Sequence, residues 1–142
     1  MEASAQTGGN EMTGKRVLVV DDEIHIVHVV AIKLRNNGYE VLTADNGADA
    51  YELACRENPD IIVTDYQMPV MTGLEFLEKL RACDRTADIP AILLTARSFA
   101  VTDEQKRTLN IAACLSKPFS PKELLGNIED ILYSRAVAHQ TA

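Results

Sequence analysis

KRVLVVDDEIHIVHVVAIKLRNNG, residues 15–38, is the stretch that decides the architecture. Val17, Leu18, Val19 and Val20 form a continuous apolar run. It is too short for a helix and rich in β-branched valine, which predicts a strand buried on both faces. Over residues 23–37 the apolar positions return at helical spacing, and Gly38 stops the helix. A buried strand leading straight into a helix is one half of a parallel crossover unit.

The unit recurs along the chain. YEVLTA (39–44), IIVT (61–64), AILLT (91–95) and the weaker IAACLS (111–116) read as four further strands. Helices are expected over 47–57, ending before Pro59, and over 74–83. Thr102 followed by Gln105 fits a capping box and opens a mostly polar helix reaching about Leu109. Ser120, Pro121 and Glu123 join a second capping signal to proline at the first helical position. Leu124, Leu125, Ile128, Ile131 and Leu132 mark one apolar face of the helix that follows. Five strands alternating with five helices predict an α/β protein, a doubly wound five-stranded parallel sheet with helices on both faces. Right-handed crossovers leave few windings, and the order 2-1-3-4-5 is the one expected.

The chain has 142 residues, about one domain, with 14 Lys and Arg against 21 Asp and Glu and a net charge of −7. Hydrophobic residues at 46% and charged residues at 25% exclude a disordered, collagen-like or membrane-embedded chain. The negative balance argues against nucleic acid as a partner, because phosphate neutralisation needs Lys and Arg. Residues 1–13 have no basic or apolar leader segment and too little apolar area to order themselves, so a mobile tail is expected. The domain is expected over 14–134, with a short C-terminal tail over 135–142 that leaves no room for an output module. Cys55, Cys83 and Cys114 show no metal or redox spacing and are expected as reduced, mostly buried residues of a cytoplasmic protein.

In an open α/β sheet, ligands bind outside the carboxyl ends of the strands. Strand one ends in Asp21 and Asp22, strand three in Asp65, strand four in Thr95 and strand five in Lys117. Each residue alone has an ordinary reading, as a helix N-cap, a turn hydroxyl or a surface lysine. Together they place three carboxylates, a hydroxyl and an ammonium on one sheet edge. Three carboxylates this close repel one another unless a cation joins them, and Mg²⁺ prefers such oxygen ligands. Aspartate is a nucleophile toward phosphorus, and a lysine suits a phosphoryl oxygen. The set therefore points to phosphoryl transfer onto a carboxylate.

VLVVDDE (17–23), DYQMPVMTG (65–73), LLTA (93–96) and LSKPF (115–119) resemble the receiver domain of two-component response regulators, and the likeness spans roughly residues 14–134. It implies a flavodoxin-like fold and a chemotaxis-regulator-like, stand-alone signalling protein, not an enzyme beyond its own phosphorylation and dephosphorylation. Asp65 would accept a phosphoryl group from a sensor histidine kinase or a histidine phosphotransfer protein. Asp22, Asp65 and the backbone carbonyl of Gln67 would ligate Mg²⁺, with Asp21 acting through water. Thr95, Ala96 and Lys117 would hold the phosphoryl group, the Lys117–Pro118 peptide would be cis, and Gln67 and Arg97 would occupy the positions that tune phosphoryl lifetime. The signal would pass to an output protein by contact or onward as phosphate, from a monomer or weak dimer in the cytoplasm. The alternative is an aspartyl-nucleophile phosphohydrolase on a similar fold, although such enzymes place a D-x-D pair after strand one.

Two features stand apart. Where the family usually carries an aromatic three residues before the lysine, this chain has Cys114, so the usual aromatic readout is missing; packing in the core is the plain expectation for it. The first helix is apolar nearly all round. Ile26, Val29, Val30 and Leu34 form the expected inner stripe, leaving Val27, His28 and Ile32 as a candidate kinase-docking surface.

Overall fold

The computed structural model describes residues 14–96 and 101–141, with side chains of the last helix up to Ala138. The expected N-terminal tail, residues 1–13, and Arg97 lie outside the described residues. Ten elements alternate in chain order: β1 (Arg16–Val20), α1 (Ile24–Arg35), β2 (Glu40–Ala44), α2 (Gly47–Glu57), β3 (Ile61–Asp65), α3 (Gly73–Arg81), β4 (Ala91–Thr95), α4 (Asp103–Thr108), β5 (Ile111–Ser116) and α5 (Pro121–Thr141). The strands form one parallel sheet in the order β2-β1-β3-β4-β5. This is the 2-1-3-4-5 winding, and it puts the reversal of direction between β1 and β3.

Alternation along the strands splits the core in two. Val17 and Val19 of β1, Ile61 and Val63 of β3, and Ile92 and Leu94 of β4 pack against Val30 and Leu34 of α1 and Leu124 and Ile128 of α5. Leu18, Val20, Ile62 and Leu93 face the other way, onto Ala50 and Ala54 of α2 and Phe76, Leu77 and Leu80 of α3. Both faces of β1, β3 and β4 are thus covered, which is why those strands read as unbroken apolar runs.

Local signals set the helix ends. Thr102 and Gln105 cap each other's backbone at the start of α4, and the Ser120 hydroxyl accepts from the Glu123 N–H at 3.0 Å. A second capping box, Thr72 with Glu75, opens α3. α2 ends on Asn58 in the left-handed conformation, and Gly38, with φ of +94°, turns the chain after α1. α5 differs from expectation: it continues to Thr141, so most of the expected C-terminal tail is helical. No helix among the described residues is long and apolar enough to cross a membrane.

Candidate functional site

Parallel pairing aligns the carboxyl ends of β1, β3 and β4. Val20 pairs with Thr64 and Asp65 with Leu94, so the residues that follow β1 stand beside the ends of β3 and β4. Asp21 is fully buried, Asp65 nearly so, and Asp22 is exposed. One carboxylate oxygen from each lies within 4.8 Å of the others. Thr95 is buried at the end of β4, and its carbonyl accepts the Lys117 N–H at 2.6 Å. That bond ties the loop after β5 to the same edge. The Lys117–Pro118 peptide is cis.

Lys117 reaches across this edge. Its Nζ donates to Asp21 Oδ2 at 3.0 Å and to Glu23 Oε1 at 2.9 Å, and stands 3.3 Å from Asp65 Oδ1. Glu23 is a residue the sequence reading passed over; the third acid of the VDDE run was its only signal. It sits at the N-cap of α1 but turns its side chain to Lys117, while its backbone N–H donates to Asp21 Oδ1 at 2.9 Å. Asp21 is therefore fixed from two sides.

Charge crowding shows in the proton affinities. Burial, then the neighbouring Asp21 charge, pushes the Asp65 carboxyl up to about 6 against the pull of Lys117. Burial also raises Asp21, although the Glu23 N–H and Lys117 both oppose it. Burial alone would lower Lys117, but its bonds to Glu23 and Asp21 hold the ammonium above its usual value. A cluster of oxygen donors with more negative charge than one lysine can neutralise suits a hard divalent cation. The donor set fits Mg²⁺.

The remaining expected residues fall out differently. Gln67 and Ala96 are exposed, near the ends of β3 and β4. Cys114 is exposed on the edge strand β5 rather than packed in the core, and Cys55 and Cys83 are only half-buried. The α1 surface needs correction. Val27 is 6% exposed and belongs to the core, whereas Val29, placed on the inner stripe, is 51% exposed. His28 and Ile32 do face outward. The helix is rotated about its axis relative to the expected stripe. Val29 then borders an apolar groove of about 450 Å³ that runs from Ile26 and Val30 to Pro118 and Phe119, with Lys117 at its wall.

A doubly wound parallel sheet with three carboxylates and a lysine at the switch point defines an open α/β class whose ligand site lies outside the carboxyl ends of the strands. The chain belongs to the response regulator receiver domain family, which matches residues 17–129. It is 37% identical over 123 residues to the phosphate regulon transcriptional regulatory protein PhoB of Pseudomonas aeruginosa, covering 85% of this chain and 53% of that protein. It is 39% identical over 126 residues to the transcriptional regulatory protein PrrA of Mycobacterium bovis, covering 87% and 52%. The chain spans about half the length of these curated relatives. Among solved structures, the chemotaxis response regulator CheY4 of Vibrio cholerae superposes with a TM-score of 0.77 at 34% identity, over 84% of this chain and 99% of that one. The receiver domain of Francisella response regulator 1452 gives 0.75 at 32%, over 87% and 99%. Receiver domains are signalling modules that work with histidine kinases or phosphotransfer proteins and bind Mg²⁺ at an acidic pocket.

Proposed function

We propose that Asp65 accepts a phosphoryl group from a phosphohistidine of a sensor histidine kinase or phosphotransfer protein. A carboxylate oxygen of Asp65 attacks phosphorus, the P–N bond to the donor imidazole breaks, and its electron pair returns to the ring, leaving an acyl phosphate. The Lys117 ammonium, already 3.3 Å from Asp65, turns to a phosphoryl oxygen, and the Thr95 hydroxyl closes on another. Asp22, Asp65 and the Gln67 carbonyl would hold Mg²⁺, with Asp21 reached through water. The ion would offset the charge shared by the carboxylates and the incoming phosphate. The observation that carries this reading is the placement of Lys117 between the two buried aspartates.

The phosphoryl group adds charge where charge is already crowded, and the response passes through Thr95 and its loop to the surface of α4, β5 and α5. Cys114 follows Thr95 without a ring to bury. The chemistry is performed on the protein itself. We assign the receiver unit to residues 14–134, with the rest of α5 extending beyond it. Gln67 and Arg97 stand at the positions that set phosphoryl lifetime. The donor docks on the exposed side of α1, through His28, Val29 and Ile32, and on the apolar groove beside Lys117. This surface lies next to the acceptor, as a transfer between two proteins requires.

The test is phosphorylation by acetyl phosphate or a labelled phosphohistidine donor. Acid-labile label is expected on the native chain and none on Asp65→Asn, and excess EDTA is expected to stop transfer. Acid-stable label on Ser or Thr, or full transfer in EDTA, would overturn the assignment.

A further inference from the structure

α2 and α3 lie side by side on one face of the sheet, and both run back from the phosphorylation edge toward the opposite one. Where they end, two cysteines meet. Tyr51 of α2 and Lys79 of α3 mark the facing rows, with the Lys79 ammonium 4.7 Å from the centre of the Tyr51 ring. One turn further along α2 comes Cys55, four residues on and on the same helix face, and the turn that follows α3 carries Cys83 beside the end of that row. Cys55 is in the last turn of α2; Cys83 follows the C-cap of α3, its N–H donating to the Leu80 carbonyl at 3.2 Å. Cys55 stands close enough to Cys83, and both close enough to the Tyr51 hydroxyl, to bear on their proton affinities. Both are free and half-buried, within reach of a small solute but shielded from bulk contact.

We propose that Cys55 and Cys83 form an oxidisable dithiol, a modification site whose co-substrate is a hydroperoxide. A redox-sensing thiol needs thiolate character, access and a resolving partner. Cys83 has the first from its own loop: the Arg85 N–H, with help from Thr86 and Cys55, holds its thiol below the usual range. The Cys83 thiolate attacks one peroxide oxygen, the O–O bond breaks, and the departing hydroxide takes up a proton as water. Sulfur is left as sulfenic acid. Cys55 gives up its proton and attacks that sulfur, the S–O bond breaks, and a second water leaves. Two thiols and one hydrogen peroxide become one disulfide and two waters. The bond joins α2 to α3 across the edge of the sheet opposite Asp65, a second input separate from phosphorylation.

The experiment uses the whole chain treated with one equivalent of hydrogen peroxide, alkylated, digested with trypsin and weighed. Residues 36–56 and 82–85 are expected as one linked peptide, two hydrogens lighter than the free pair and released by dithiothreitol. Cys83 is expected to oxidise about tenfold faster than Cys114, which is exposed on β5. In Cys55→Ser the sulfenic acid should persist on Cys83 and be trapped by dimedone. The proposal is overturned if no linked peptide forms in the native chain. It is equally overturned if Cys114 reacts as fast as Cys83, or if Cys83 advances to sulfinic acid at one rate with and without Cys55.

Discussion

The Lys117 ammonium stands 3.3 Å from Oδ1 of Asp65, although the lysine follows the fifth strand and the aspartate ends the third. Its side chain is only 16% exposed and is shared with Asp21 and Glu23. Lys117→Gln keeps a long polar chain and removes the charge. Transfer from acetyl phosphate is expected to fall about 100-fold, the usual cost of deleting one aimed donor at a developing charge. An unchanged rate would take Lys117 out of the reaction.

Asp65 makes the metal-free protein pH-sensitive. Its carboxyl titrates at about 6 in the fold against 3.8 as the ordinary value, so the folded state holds the proton more tightly than the unfolded chain. The stability this contributes is fully present below about pH 4 and is lost as pH rises through about 6. Asp65→Asn carries no charge at any pH. In EDTA it should be more stable than the native chain by about 2 kcal/mol at pH 7.5 and nearly equal to it at pH 4. Urea unfolding at both pH values decides; the same gain at each would point to packing instead of charge.

Thr95 is buried at the end of β4, next to the strand that ends in Asp65, while Cys114 is exposed on the neighbouring strand. Thr95→Ala should still be labelled by acetyl phosphate, yet lose the conformational response that amide exchange detects along α4 and β5. Cys114→Ala should be labelled and respond as the native chain does. A lost response in Cys114→Ala would show that the thiol itself transmits the signal.

Helix α1 separates recognition from folding. Ile32→Glu and Val29→Glu alter exposed positions and should slow transfer from the cognate kinase at least about tenfold, the scale of one interface anchor. Acetyl phosphate should label both variants normally. Val27→Glu should fail with either donor, because it places a carboxylate in the core at a cost of several kcal/mol. If Ile32→Glu and Val29→Glu leave kinase transfer intact, the donor docks elsewhere.

Gly73 has no room for a side chain. A Cβ there would press into the backbone carbonyl of Asp65, with the Leu93 side chain close by. Its N–H also donates to the Tyr66 carbonyl at 2.8 Å, closing the loop that carries Gln67. Gly73→Ala should cost about 3 kcal/mol by overpacking and displace Asp65. Gly126→Ala is the contrast. Nothing lies near that position in α5, so alanine should add about 0.5–1 kcal/mol of helix stability. Denaturation of the two variants should move in opposite directions.

Much of this molecule is local and therefore legible along the chain. Unbroken apolar runs can only be strands covered on both faces, and such runs bring Asp21, Asp65 and Thr95 to one edge whatever lies between them. Capping residues act within four positions of themselves, so Thr102 and Ser120 announce their helices. The rotation of α1 is not local. Its apolar residues run nearly all round, periodicity selects no face, and only packing against the sheet and α5 buries Val27 and leaves Val29 outside. The sharing of Lys117 among Asp21, Glu23 and Asp65 joins residues up to 96 positions apart. Arg81 likewise donates to the carbonyls of Thr86, Ala87 and Leu109, pinning the end of α4 to the loop after α3. Sequence by itself determined the elements and the edge where the acids gather, because backbone propensity and burial act residue by residue; the winding was expected from the handedness of crossovers together with the family resemblance. The tertiary structure alone decided which acids the lysine holds, which face of α1 is free and how far each cysteine is exposed, because those depend on how distant surfaces pack.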